Sequence, residues 1–474
     1  MKNKLKDFER ELKEISQHHV LNFLNDLTSE QISFLLEQIE KFDFVNIPEW
    51  VEKYILKDDL LNLPKLFDPA PFYPSEPKTA EQTERYANAC QIGENLICQG
   101  KVAGFVVAGG QGTRLGFDGP KGNYPISPIR KKTLFQLFAE YLLAASEKYN
   151  TVIPWYIMTS PLNYNATVEI FENMDYYGLA KDNIFIFQQG TLPNFDFSGK
   201  ILLADKNQIA TSPDGHGGSL KAILKSGALA DMKKRGIEYL SYWQVDSPMI
   251  HLIDPLFIGL NVIDSAEMSS KALLKTDPLE KVGNFCKVND KITVIEYSDL
   301  PEEAAYQTNT DGSLTFKLGS IGIHMISIDF IEKLNADGNF ALPFHRAVKK
   351  IPYIDQNGQH VEPVEPNGIK LETFVFDAIP MAYNSIILET CRQEEFAPVK
   401  NASGVDSAKV TSQMMIDRVA AWHELAGVHV PRKADGSPDC VLELAASFAL
   451  SAKDIKAKVN YVPVLTPDCE VYLE

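Results

Sequence analysis

Residues 102–122 read VAGFVVAGGQGTRLGFDGPKG. The run Val102–Ala108 is too short for a helix and rich in Val and Phe, which predicts a buried strand. It ends in Gly109-Gly110-Gln111-Gly112, where glycines leave no Cβ between the backbone N–H groups and a ligand. Arg114 and Lys121 then set two cations beside the turn. A strand, a glycine turn and flanking cations are phosphate-binding equipment. The turn is not a P-loop, because GxxxxGK[ST] is absent: Gly116 precedes Phe117, and Lys121 stands between a proline and a glycine. A dinucleotide fingerprint fits poorly, since Gly119, Pro120 and Gly122 keep the chain irregular where that motif opens a helix.

On either side of this stretch, helices and strands alternate: helix 79–99, helix Leu134–Lys148, strand Ile153–Met158, helix Asn165–Asn173, strand Ile184–Gln188, helix Ser219–Lys234 and strand Tyr239–Val245. That alternation predicts an α/β core with a mainly parallel sheet covered on both faces. After about residue 265 strands dominate (Lys271–Lys275, Asn284–Val288, Ile292–Tyr297, Leu314–Leu318), which predicts a mixed-sheet extension. Residues 1–63 read as helical: Leu5, Phe8, Leu12 and Ile15 share one helix face, and Thr28 with Gln31 fits a capping box. Pro64, Pro69, Pro71, Pro74 and Pro77 then form a linker or an extended wrap. From about residue 400 the chain offers one helix, Val410–Leu425, and short apolar runs. The resulting division is a helical N-terminal segment with its linker (1–78), a catalytic domain (79–400) and a small C-terminal domain (401–474).

Composition narrows the partners. The 474 residues carry 46 Lys+Arg against 63 Asp+Glu, a net charge of −17, with no basic run to displace the counterions of a nucleic acid. Six cysteines without a CxxC pair read as reduced and mostly buried thiols. The N-terminus, MKNKLKDFERELKE, lacks the apolar stretch of a signal peptide, and the most apolar window, Cys440–Ala452, is short of a bilayer span. The expectation is a cytoplasmic protein without a nucleic-acid or membrane partner.

GGQGTRLG (109–116) followed by PKG (120–122) resembles the nucleotide-binding signature of the sugar-nucleotide pyrophosphorylases, in the uridylyltransferase branch that includes UDP-N-acetylglucosamine pyrophosphorylase. Further stretches resemble later blocks of that family in the same order: FQQGTLPNFDFSGKILL (187–203), SPDGHGGSL (212–220), QVDSP (244–248), VIEYSDL (294–300), LETFVFD (371–377) and EEFAPVKNA (394–402). The resemblance covers about residues 85–405. It implies a Rossmann-like nucleotidyltransferase core that joins UTP and a sugar 1-phosphate into a UDP-sugar and pyrophosphate.

From the resemblance, residues Ala108, Gly109, Gly110, Gln111, Gly112 and Thr113 hold the nucleotide, while Arg114, Lys121 and Lys400 neutralise the reacting phosphates. Asp246, at the end of a strand where parallel sheets bind ligands, is the candidate Mg²⁺ ligand. Gln189 is assigned to uridine, Gly215 and His216 to the turn where nucleotide and sugar meet, and Glu296, Tyr297 and Phe376 to the sugar. Two places depart from the acetylglucosamine branch: His216 stands where asparagine is usual, and Gly322 and Ile323 stand where that branch carries an asparagine near the histidine that matches His324. The expected sugar is N-acetylglucosamine or N-acetylgalactosamine 1-phosphate, with glucose 1-phosphate or broad specificity as the alternative. A UDP-sugar-binding protein without catalysis is the alternative of another class.

Overall fold

The computed structural model describes residues 2–57, 66–336, 340 and 342–474. The chain divides into two compact units, built from interleaved rather than consecutive segments. Unit 1 takes Met1–Lys65, Gln189–Ser219 and Ala341–Asp377, and unit 2 takes Leu66–Gln188, Leu220–Phe340 and Ala378–Glu474.

In unit 1 the N-terminal helices Lys2–Glu14 and Ser29–Ile39 bury Phe8, Leu12, Leu35, Leu36 and Ile39 against Phe195, Ile369 and Leu371. The expected capping box is present: Thr28 Oγ1 accepts the Gln31 N–H while Gln31 Oε1 accepts the Thr28 N–H. Buried Gln17 fastens this segment to the insert that follows residue 188. Its Nε2 donates to Gly199 O at 2.7 Å and its Oε1 accepts the Ile201 N–H at 2.9 Å. Antiparallel strands Phe195–Asp196, Gly368–Thr373 and Phe344–Lys349 form a small sheet. The last part of the expected N-terminal helical run, 58–63, and Pro64 lie outside the described residues.

Unit 2 is built on a sheet of ten strands among the described residues. We number the longer ones β1 (Val102–Val107), β2 (Trp155–Thr159), β3 (Ile184–Gln188), β4 (Tyr239–Gln244), β5 (Met268–Leu274), β6 (Gly283–Val288), β7 (Lys291–Ile295), β8 (Leu318–Ser327) and β9 (Ile387–Glu389). The order β4-β1-β2-β3 is parallel, and β5 pairs parallel with β9. The pairs β4–β8, β5–β8, β6–β7 and β6–β8 are antiparallel. Parallel pairing is thus concentrated in the half that carries the glycine turn. Asp68–Pro69 pairs with β6, so the proline-rich segment wraps the sheet edge in extended form. β1 and β2 are buried along their whole length because helices cover both faces, which explains their unbroken apolar runs.

Three expectations are corrected. The helix expected over Ser219–Lys234 is two, Gly218–Lys225 and Ala228–Arg235, because Gly227 takes φ +85°. The strand expected over Leu314–Leu318 begins where it was expected to end and runs to Ser327. Among the six free thiols only Cys286 and Cys440 are buried, whereas Cys98 and Cys391 are exposed. No helix among the described residues is long and apolar enough to cross a membrane.

Candidate active site

The glycine turn follows β1 directly, at the C-terminal edge of the parallel block, where open α/β sheets bind their ligands. Its glycines differ in what they do. A Cβ on Gly112 would stand 2.7 Å from the Phe117 ring, and one on Gly122 would stand 2.1 Å from Phe135. Both are demanded by packing. A Cβ on Gly110 would meet nothing nearer than Lys121 Cε at 3.9 Å, so Gly110 keeps an open face for a ligand. The turn is closed by Gly112 N–H to Gly119 O at 2.9 Å and Lys121 N–H to Gly110 O at 3.0 Å. Arg114 is exposed at its rim.

Asn163, fully buried, holds this turn from beneath. Its Nδ2 donates to Ala108 O at 2.9 Å and to Gly110 O at 3.2 Å, while its Oδ1 accepts from Ser160 N–H at 2.9 Å. Sequence reading missed it, since an asparagine opening a helix looks like any cap; a buried amide beside two glycines becomes visible only in three dimensions.

Lys121 Nζ lies 4.0 Å from Asp246 Oδ2, with both side chains largely buried. At that separation the pair is loose, so each group keeps room to engage an anionic or cationic ligand. The Val399 N–H donates to Asp246 O at 2.8 Å, which sets the Lys400 segment against the metal candidate. Lys400 Nζ is half-exposed, 3.9 Å from Asp406 Oδ2. The structure therefore gathers the glycine turn, Lys121, Asp246 and the Lys400 segment in one unit. Among the described residues no group of three or more His, Cys, Asp or Glu side chains is arranged to hold a metal.

The sugar candidates of unit 2 are more dispersed. Glu296 follows β7, and its Oε1 lies 3.4 Å from the point where a Gly283 Cβ would stand; Ser320 Cβ is 3.7 Å from the same point. Tyr297 is 46% exposed. Ile323 is the clear departure, for its side chain packs in the main core with Trp243, Val245 and Met325. The irregularity lies one residue earlier. The β5–β8 register shifts between Ser270 and Ala272, and Gly322 takes φ +70°, a bulge favouring a residue without Cβ. A Cβ there would stand 3.1 Å from Gln244 Cγ. Gln244, two residues before Asp246 and donating to Tyr242 Oη at 2.9 Å, is a second residue that sequence reading passed over.

Unit 1 carries the remaining candidates. Gln189 is buried and donates from Nε2 to Asp214 Oδ1 at 3.3 Å. Gly215 takes φ +86°, and a Cβ on it would stand 2.3 Å from Thr373 O. His216 Nδ1 accepts the Val375 N–H at 3.1 Å, and its ring stacks on Phe374 at 5.1 Å, with Phe376 tilted at 5.9 Å. Burial, with a smaller contribution from the charge of His345, pushes its pKa down to about 4. His345 also stacks on Phe374, at 4.1 Å, and its Nε2 meets Asp377 Oδ2 at 2.8 Å.

The family model described as UTP–glucose-1-phosphate uridylyltransferase matches residues 74–468. Among similar proteins, a UDP-N-acetylglucosamine pyrophosphorylase of Saccharomyces cerevisiae is 39% identical over 350 residues, 72% of this chain and 73% of that protein. A probable UDP-N-acetylglucosamine pyrophosphorylase of Dictyostelium discoideum is 33% identical, covering 97% of each. The human UDP-N-acetylhexosamine pyrophosphorylase-like protein 1 is 38% identical over 74% of this chain and 70% of its own. In structure, a putative UDP-N-acetylglucosamine pyrophosphorylase of Entamoeba histolytica superposes with TM-score 0.74 at 31% identity, over 86% of this chain and 100% of that one. The fold of a Trypanosoma brucei uridine diphosphate N-acetylglucosamine pyrophosphorylase agrees at TM-score 0.83 and 23% identity, over 100% and 98%. The chain belongs to the UTP–glucose-1-phosphate uridylyltransferase family and is a nucleotidyltransferase of the UDP-sugar pyrophosphorylase kind.

Proposed function

We propose that this protein makes UDP-N-acetylglucosamine or UDP-N-acetylgalactosamine, with pyrophosphate, from UTP and the N-acetylhexosamine 1-phosphate. The observation that carries the reading is the open face of Gly110 beside Lys121 and Asp246, at the carboxyl edge of β1 and β4. The names of the relatives support the acetylated sugar.

The chemistry asks for little beyond positioning and charge. A sugar phosphate whose second pKa is near ~6 is mostly a dianion at neutral pH, so no general base is needed. Its oxygen attacks the α-phosphorus of UTP, one P–O bond forms, and the bond to the departing pyrophosphate breaks in line. Backbone N–H groups of the Gly109–Thr113 turn, other than the Gly112 N–H that is bonded to Gly119 O, donate to the triphosphate, and Arg114, Lys121 and Lys400 offset the charge that grows on the leaving pyrophosphate. Asp246 is the carboxylate that would hold a Mg²⁺ ion beside the phosphates. When bound, the ion supplies charge neutralisation to the phosphates. On unit 1, Gln189 is assigned to uracil, and His216, as a neutral ring with its proton on Nε2, offers a donor to phosphate or hydroxyl.

His216 also favours the second reading, glucose 1-phosphate as the preferred substrate, because asparagine is usual in the acetylglucosamine branch. Purified protein, UTP, Mg²⁺ and a panel of sugar 1-phosphates separate the two by pyrophosphate release. Fastest turnover with an N-acetylated sugar is expected. Turnover restricted to glucose 1-phosphate replaces the first reading with the second, and silence with every sugar leaves only UDP-sugar binding.

A further inference from the structure

Lys271, on β5, is 1% exposed, and Glu395 is 3% exposed. Lys271 Nζ donates to both oxygens of Glu395, at 2.7 and 2.6 Å, and lies 2.7 Å from Asp254 Oδ2. A buried ion pair with a third, partly buried carboxylate is seldom chosen for stability, because removing the ions from water offsets most of what their attraction returns. Burial by itself would lower the Lys271 pKa; Asp254 and Glu395 outweigh it and hold the ammonium charged.

What this cluster touches gives it a task. Glu395 Oε1 also accepts the N–H of His251 at 2.9 Å, in the loop that runs from Asp246 to the cap residue Asp254. Glu395 itself lies in the segment that leaves β9 and ends on Lys400, and Thr390 at its start donates to Glu395 Oε2 at 2.5 Å. Arg418 repeats the tie: its Nη1 donates to Met249 O at 2.6 Å, on the first stretch, and to Glu394 O at 3.0 Å, on the second. The Val399 N–H to Asp246 O bond closes the far end. Two loops that leave different strands of the sheet, one holding the metal candidate and one the phosphate-neutralising lysine, are thus stitched together with Glu395 as the knot.

We infer that Glu395, pinned by Lys271, is a positioning residue for the reaction: it fixes the Asp246 loop and the Lys400 segment in one mutual register, so that carboxylate and ammonium meet the same phosphates. This rests on the function proposed above. Groups that orient a ligand from behind influence metal affinity and turnover without touching substrate.

The test compares two double variants in the full-length protein. Lys271→Met with Glu395→Leu removes the Lys271–Glu395 ion pair and the acceptor for His251; Lys271→Met with Glu395→Gln removes the same pair and keeps an acceptor, and both leave Asp254 in the same state, so their difference reports on the acceptor. Folding is followed by circular dichroism and thermal unfolding. The leucine variant is expected to lose roughly tenfold in kcat and to need several-fold more Mg²⁺ for half-maximal rate, with the KM for sugar 1-phosphate little changed. The glutamine variant should recover most of that loss. Thr390→Val, which loosens Glu395 alone, should raise the Mg²⁺ requirement about twofold and keeps the test decisive if the leucine variant does not fold. Folded variants with wild-type kcat and Mg²⁺ requirement would overturn the inference, as would a leucine and a glutamine variant that fall equally. Wild-type protein silent with every sugar 1-phosphate instead strikes the proposed function, and is seen before any variant is made.

Discussion

His216 shows how much one ring can be told by its neighbours. Because Nδ1 accepts a backbone N–H, a neutral imidazole must carry its proton on Nε2, and stacking on Phe374 fixes the direction of that donor. With the pKa pushed down to about 4, the ring stays neutral where UTP and sugar phosphates are dianionic or more. We therefore expect its imidazole resonances to stay flat in an NMR titration from about pH 8 to about pH 5; a midpoint near the ordinary ~6.5 would contradict the burial. The linked effect on stability has a definite sign. The unfolded chain takes up the proton first, so stability contributed by His216 is full above ~6.5, is lost as the pH falls, and levels off below about 4. Asn163 is the opposite kind of residue. Its part in shaping the glycine turn depends on burial and on two carbonyls more than fifty positions away, neither of which a local pattern encodes.

At the scale of elements, the glycine turn separates into packing and binding positions, and substitution should divide them. Gly122→Ala drives a methyl into Phe135 and should destabilise the protein by about 1–3 kcal/mol in denaturant unfolding. Gly110→Ala enters open space, so its unfolding free energy should stay within about 1 kcal/mol of wild type while the KM for UTP rises. A stability loss at Gly110 equal to that at Gly122 would deny it an open face. Elements with strong local signals are legible in the sequence: Leu134–Lys148 and Ile184–Gln188 fall where their periodicity puts them. β8 is not, because a bulge around Gly322 sets three of its residues, Ile321 to Ile323, opposite the single Lys271 of β5 and breaks the alternation, and Ile323 lies in the core. The chemistry of the candidate site is legible as far as it is local, in glycines, cations and a strand-end aspartate. Gln244 and Glu395 escape because what they do is set by tertiary contacts.

At the scale of the molecule, unit 1 is the less expected result. Its core draws Phe8, Leu12, Val20, Leu35, Leu36, Ile39, Ile47 and Ile55 from the first stretch of chain and Phe195, Ile201, Ile369 and Leu371 from two others. The N-terminal helices are consequently part of a folded body, not an appendage. Deleting residues 1–57 should expose 189–219 and 342–377 to limited proteolysis while the buried strands β1 and β2 stay protected; uncut inserts would mean that unit 1 holds without its helices.

The same interleaving imposes a waiting time on the ribosome. Unit 1 cannot close until its last segment, ending at Asp377, has emerged. At about 5–20 residues per second that is tens of seconds after the N-terminal helices leave the tunnel. Through that interval Phe8, Leu12 and Leu36 have no native partner from the later segments, so the nascent chain presents an adhesive amphipathic surface. The demand on chaperones is therefore written into the order in which the segments are made, and it falls on the first helices of the chain.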